Sequence, residues 1–259
     1  MNTGFNLALA AAYQSNSQRA RVLSEGWVVE NMFCPRCGCK QIDHFPNNRP
    51  VADFFCPECG AEFELKSKRG TLGNKIADGA YATMIERIGA DNNPDFFFMS
   101  YSPRSWSVVD FIVVPRHFFV PSIIEKRKPL SPDARRAGWT GCNIEIGGIP
   151  EQGRITVISD GKVRDPGRVI ADFNRSTELY IRNIDARGWL FDVLECVNRI
   201  HSDSFSLADM YTFAEFLHNK HPKNNNIHAK IRQQLQLLRD KGVIEFLGGG
   251  RYRLLIWEG

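Results

Sequence analysis

Asp53-Phe54-Phe55-Cys56-Pro57-Glu58-Cys59-Gly60-Ala61-Glu62-Phe63-Glu64-Leu65-Lys66 holds two kinds of site in one stretch. Cys56 and Cys59 are half of a four-thiolate zinc site. The other half, Cys34 and Cys37, lies upstream with 18 residues between the pairs. Two C-x-x-C pairs at about this separation have the spacing of a zinc site. Gly38 and Gly60 follow the pairs and let backbone amides turn toward the sulfurs. Redox thiols and inert thiols are the competing readings, and two matched pairs argue against both. Four cysteine ligands leave zinc no open position, so the predicted Zn2+ is structural.

Asp53, Glu64 and Lys66 are spaced as D-x10-E-x-K, the pattern of a metal-dependent nuclease centre. Glu62, Glu64 and Lys66 alternate with Phe63 and Leu65, so period two puts Glu64 and Lys66 on one strand face. Asp53 falls in a preceding strand, Val51 to Phe55, and the Cys56–Cys59 knuckle is the turn between the strands. Antiparallel pairing then brings Asp53 near Glu64. Two adjacent carboxylates repel unless a hard cation such as Mg2+ bridges them. Such a cation can activate water and neutralise charge on a phosphate. A neighbouring lysine can orient that water or stabilise the transition state. Alone, the spacing is weak and a solvated strand with a surface ion pair is the better reading. The knuckle inside the turn, and the DNA-binding pattern further along, favour catalysis.

The chain has 259 residues, 43 % hydrophobic and 24 % charged. This is an ordinary globular composition, long enough for one large domain or two. No apolar run reaches the roughly 18 residues of a membrane span. The N-terminal apolar patch has no basic segment before it, so a cytoplasmic protein without a signal peptide is expected. A net charge of +4 and a pI of about 8.7 suit nucleic acid without being diagnostic. Seven cysteines without a secretion signal favour metal binding over disulfides. Cys39, Cys142 and Cys196 follow no pattern and read as buried thiols.

Residues 5–30 and 74–89 read as helices, the second despite Gly79. Asp95–Tyr101, Ser107–Val114 and Arg154–Ile158 read as strands from their length and their β-branched and aromatic content. Helices flanking a mixed sheet, an α/β core, follow. A Pro-, Arg- and Lys-rich loop spans residues 125–139 and includes Arg135, Arg136 and Trp139. A domain boundary is expected near 182.

Beyond it, Trp189–Ile200 is a predicted helix. Ser206 is placed to cap a second, Leu207–His218, with Asp209 in its first turn. A third runs from about Asn226 to Lys241 and stops at Gly242. Val243–Leu247 and Arg251–Ile256 flank Gly248-Gly249-Gly250, a hairpin signal. Three helices and a hairpin make a winged helix. On the third helix Ile227, Ile231, Leu235 and Leu238 form the buried stripe, and Ala229, Arg232, Gln233 and Gln236 the opposite side. Arg pairs with guanine and Gln with adenine. Lys220–Lys241 contains six Lys or Arg against Asp240 alone, so phosphate contact that weakens with salt is expected. Arg251 and Arg253 follow the wing turn, within reach of a DNA backbone. A protein-binding winged helix with solvated charges is the alternative.

The chain resembles the DpnI-type methyladenine-dependent restriction endonucleases, which cut GATC when its adenine is N6-methylated. The resemblance is densest in residues 47–54, Phe63–Lys68, Asp78–Met84, Ala90–Pro94, Ala134–Trp139 and Ile231–Gln236. It implies a PD-(D/E)xK nuclease domain over residues 1–182 and a winged-helix DNA-binding domain over 183–259. It carries over Asp53 and Glu64 as Mg2+ ligands with the Leu65 backbone carbonyl, Lys66 as the catalytic lysine, and Cys34, Cys37, Cys56 and Cys59 as Zn2+ ligands. The implied partner is double-stranded DNA with methylated adenine in GATC, bound by a monomer. Ala52 stands where the wider pattern has proline, which takes no chemical part.

One methyl group contributes about 0.8 kcal/mol on burial, too little for strict dependence. Either several methyls are read or an empty dry pocket is penalised. Trp139, beside phosphate-seeking arginines, is the candidate apolar wall. The competing readings are a zinc-containing winged-helix regulator without nuclease activity, and a repair or mobile-element nuclease of other specificity.

Overall fold

The computed structural model describes residues 1–46, 52–90 and 92–255. The strands are β1 (Asp43–His44), β2 (Phe54–Phe55), β3 (Glu62–Arg69), β4 (Lys75–Ala80), β5 (Asp95–Ser102), β6 (Ser107–Val114), β7 (Ile124–Lys126), β8 (Gly141–Glu145), β9 (Ile155–Ser159), β10 (Lys162–Val163), β11 (Ser204–Ser206), β12 (Ile244–Gly248) and β13 (Arg251–Leu254). The α-helices are α1 (Asn16–Asn31), α2 (Tyr81–Gly89), α3 (Pro166–Ser176), α4 (Ile184–Arg199), α5 (Leu207–Tyr211), α6 (Ala214–Lys220) and α7 (Ile227–Asp240).

The main sheet has the order β1-β2-β3-β5-β6-β9-β10. Only β3 and β5 run parallel; the other neighbours are antiparallel. Its centre is apolar on both faces because β5 is. Phe97 and Met99 pack with Leu23, Trp27 and Val28 of α1 and with Val169 and Phe173 of α3. Phe96 and Phe98 point the other way, toward α2, Phe118, Phe119 and the small sheet β4-β8-β7. Period-two alternation thus builds two cores from one strand.

The C-terminal unit is a winged helix. Helices α4 to α7 precede the β12–β13 hairpin, and β11 adds a third strand beside β13. Ser206 closes a capping box with Asp209 at the start of α5, as its spacing predicts. Gly242, at φ 67°, ends α7 in the left-handed region that favours glycine. Helix α4 is buried along most of its length, and Phe191 stacks on Phe118 with ring centroids 4.5 Å apart. One core therefore runs from the main sheet into the winged helix, across the boundary expected near 182.

Four sequence expectations need correction. Residues 74–89 are a strand followed by a helix, because Lys75–Ala80 pairs with β8 and only Tyr81 onward turns helical. The predicted helix 207–218 breaks into α5 and α6 at Thr212–Phe213. Residues 5–30 form a short 3-10 turn, Leu7–Ala10, and then α1. Of the predicted strand Val51–Phe55, Val51 lies outside the described residues, Asp53 sits in a bend, and only Phe54–Phe55 is strand.

Candidate active site

The two knuckles fold alike. Gly38 N–H donates to the Cys34 carbonyl and Gly60 N–H to the Cys56 carbonyl, each at 2.9 Å, with φ of 82° and 68° that an L side chain rarely adopts. Cys34 Sγ lies 3.6 Å from Cys59 Sγ, and Cys37 Sγ 3.6 Å from Cys56 Sγ. All four sulfurs lie within 4.8 Å of one another. A tetrahedron with Zn–S bonds of about 2.3 Å has edges of about 3.8 Å, so this donor set fits zinc. Burial opposes the Cys56 thiolate, but the amides of Cys59 and Glu58 draw its pKa down to about 7. Arg36, inside the first knuckle, reaches buried Asp95 at the head of β5 at 3.3 Å. The knuckles are thereby tied to the central strands.

The second knuckle is the turn from β2 to β3. Phe54 faces Phe63 in register, and Asp53 sits in the bend just before Phe54. Asp53 N–H donates to the Phe63 carbonyl at 2.9 Å, and Leu65 N–H donates to Asp53 Oδ2 at 2.8 Å. In a strand, a residue's N–H and C=O point to the same side. The Leu65 carbonyl therefore faces the Asp53 side of β3, away from β5. Leu65 packs on the α1 core, which leaves Glu64 and Lys66 on the opposite face, as period two predicts.

On that face Lys66 Nζ contacts Glu64 Oε1 at 2.6 Å and also Asp78 Oδ1. Arg87 Nη1 of α2 lies 3.7 Å from Glu64 Oε2, which is buried and accepts no hydrogen bond among the described residues. Burial pushes the Glu64 carboxyl above its usual range. Asp78 adds to that rise, while Lys66 and Arg87 pull against it. Burial also disfavours charge on Lys66, yet Glu64 and Asp78 together hold its pKa above the ordinary value. Glu64 Oε2, buried and without a hydrogen bond among the described residues, is an oxygen donor suited to a hard divalent cation, and Asp53 is tied to the backbone between Glu64 and Lys66.

Asp78 and Arg87 are the members of this cluster that sequence reasoning missed. Asp78 lies in the segment mistaken for helix. Gly79, a helix breaker, was the available signal, since a strand through Lys75–Asp78 restores period-two reading.

The expected DNA contacts fall into two groups. Arg135, Arg136 and Trp139 lie on the hairpin between β7 and β8. Both arginines are exposed and Trp139 is half-buried, with the Arg136 guanidinium 4.5 Å from its ring centroid. Arg232, Gln233 and Gln236 are exposed on α7, and Arg251 and Arg253 on β13. Ile231, Leu235 and Leu238 are buried as expected. Arg232 donates to the Tyr211 hydroxyl at 2.5 Å, Lys230 donates to Gln233 Oε1 at 2.9 Å, and Arg253 pairs with Glu245 at 3.5 Å.

A mixed sheet with a carboxylate–lysine strand, a four-cysteine knuckle and a winged helix defines a restriction-endonuclease-like α/β protein that carries a DNA-binding domain. The chain belongs to the Dam-replacing family, DpnI, whose sequence model matches residues 1–182. The model of the Dam-replacing HTH domain matches residues 185–254. Membership supports a restriction-type nuclease. No helix among the described residues is long and apolar enough to cross a membrane.

Proposed function

We propose that this protein is a type II restriction endonuclease that hydrolyses double-stranded DNA at GATC sites containing N6-methyladenine, with Mg2+ as cofactor. Asp53, Glu64 and the Leu65 carbonyl hold the cation and Lys66 is the catalytic lysine. The observation that carries the reading is the Glu64–Lys66 face of β3, with Asp53 bonded to the backbone between them, inside a chain of the DpnI family. Bound Mg2+ would polarise the attacking water and offset charge on the scissile phosphate. Lys66 presents its ammonium beside Glu64, placed to orient that water and stabilise negative charge in the transition state. Asp53 is held in place by Leu65 N–H.

The nuclease unit spans residues 1–182 and the winged helix 183–259. Arg232, Gln233 and Gln236 read the major groove, with Arg251 and Arg253 on the backbone. Arg135 and Arg136 seat the DNA on the nuclease unit, and Trp139 supplies an apolar wall for the adenine methyl. The cysteine cluster holds structural zinc. The protein acts as a cytoplasmic monomer.

Lys66→Ala tests the assignment. Cutting of methylated GATC plasmid in Mg2+ should fall by at least about 100-fold, while the Kd for a methylated duplex stays within a few-fold of the parent's. A variant that still cuts at the parental rate refutes the role. Failure of the parent to cut in Mg2+, with binding retained, would indicate a DNA-binding regulator instead.

A further inference from the structure

The nuclease reading leaves unexplained why Lys66 leans on Asp78, a residue from a different sheet. Asp78 is on β4, and its side chain is 4 % exposed with Lys66 Nζ against Oδ1. The register of β4 with β8 shifts between Asp78 and Ala80, so Gly79 is the extra residue of a β-bulge. Bulges re-aim neighbouring side chains, and this one stands beside the side chain that meets Lys66.

The same small sheet carries the basic hairpin. Thr140, directly after Trp139, accepts from Tyr81 N–H at 3.1 Å, three residues beyond Asp78. Leu130 N–H donates to the Trp139 carbonyl at 2.9 Å. Across the sheet, Lys75 pairs with Glu125 and Glu145, and Asn143 donates to Glu125. The three strands are cross-braced, which links the hairpin to Asp78 through β4.

We propose that Asp78 is a positioning residue that couples DNA seating on the 127–140 hairpin to the placement of Lys66. The proposal rests on the nuclease reading above. When DNA engages Arg136 and Trp139, the small sheet settles and Asp78 holds Lys66 in its working position. Lys66 already touches Asp78 without DNA, and engagement of the hairpin steadies that contact so that the lysine holds its position during cutting.

The test is a double-mutant cycle in single-turnover cleavage of a methylated GATC duplex at saturating full-length protein. Asp78→Asn should cut about 100-fold slower, as displacements of about 1 Å in a catalytic group do, with the Kd in Ca2+ unchanged. Trp139→Ala should cut about 10-fold slower. The double variant should match Asp78→Asn alone, because coupled residues are non-additive. Asp78→Glu, which keeps the charge and also guards against a misfolded Asn variant, should recover part of the rate. Multiplicative losses, an inert Asp78→Asn or an inert Trp139→Ala would each overturn the coupling. Failure of the unmutated protein to cut this duplex would overturn the nuclease reading instead.

Discussion

His117 is buried, and its ring bonds to the Ser176 carbonyl at 2.9 Å. Burial lowers its pKa to about 3; that hydrogen bond opposes the shift, and the charges of Arg187 and Arg116 add to it. In the unfolded chain the imidazole titrates near 6.5. Between these values the unfolded chain takes up a proton that the folded chain refuses. The stability from this site is therefore complete above pH 6.5 and declines as pH falls toward 3. The loss is about 1 kcal/mol by pH 5.5. Melting temperature should drop more between pH 7.5 and 5.5 for the parent than for His117→Gln, and equal drops would contradict the account. At this scale the cysteines were the most legible, because their spacing alone encodes a tetrahedral site. The shared face of Glu64 and Lys66 was legible from the alternation around Glu64. Asp78 was not, because its contact with Lys66 joins two sheets and leaves no local pattern.

At the scale of elements, the knuckles fix the edge of the sheet. β2 has only two residues, too few to hold Asp53 by pairing alone. Its position depends on the Cys56–Cys59 turn and on the Arg36–Asp95 tie. Zinc removal should therefore cost about 3 kcal/mol or more, a drop in melting temperature of about 10 °C. The readout is calorimetry on protein with one zinc per chain before and after chelation; an unchanged transition would show that the thiols hold no structural metal. On α7 the exposed Arg232 is the expected base reader. Arg232→Ala should weaken binding of the methylated GATC duplex about 10-fold or more and leave non-specific duplex nearly unaffected. Equal losses on both duplexes would make Arg232 a phosphate contact. The buried stripe of α7 was readable from helical periodicity, whereas β4 was misread because Ala and Lys favour helix locally and only pairing with β8 decides otherwise.

At the scale of the molecule, α4 is the centre. It is buried between the nuclease core and the rest of the winged helix. Gln152 and Asn198 exchange amide hydrogen bonds across the same junction, at 3.4 Å and 3.0 Å. The two units share one core, which no sequence pattern announced: α4 reads as an ordinary helix until its polar residues, Arg187, Asp192 and Glu195, are found buried with the apolar ones. A nuclease unit and a DNA-binding unit in one packed body are consistent with the proposed reading of one methylated palindrome by both. The most direct measurement is incubation of two plasmids, identical except for adenine methylation at GATC, with the full-length protein in Mg2+ and in chelator. The account predicts cutting at GATC of the methylated plasmid alone, in Mg2+ alone. Equal cutting of both plasmids, or cutting that persists in chelator, would contradict it.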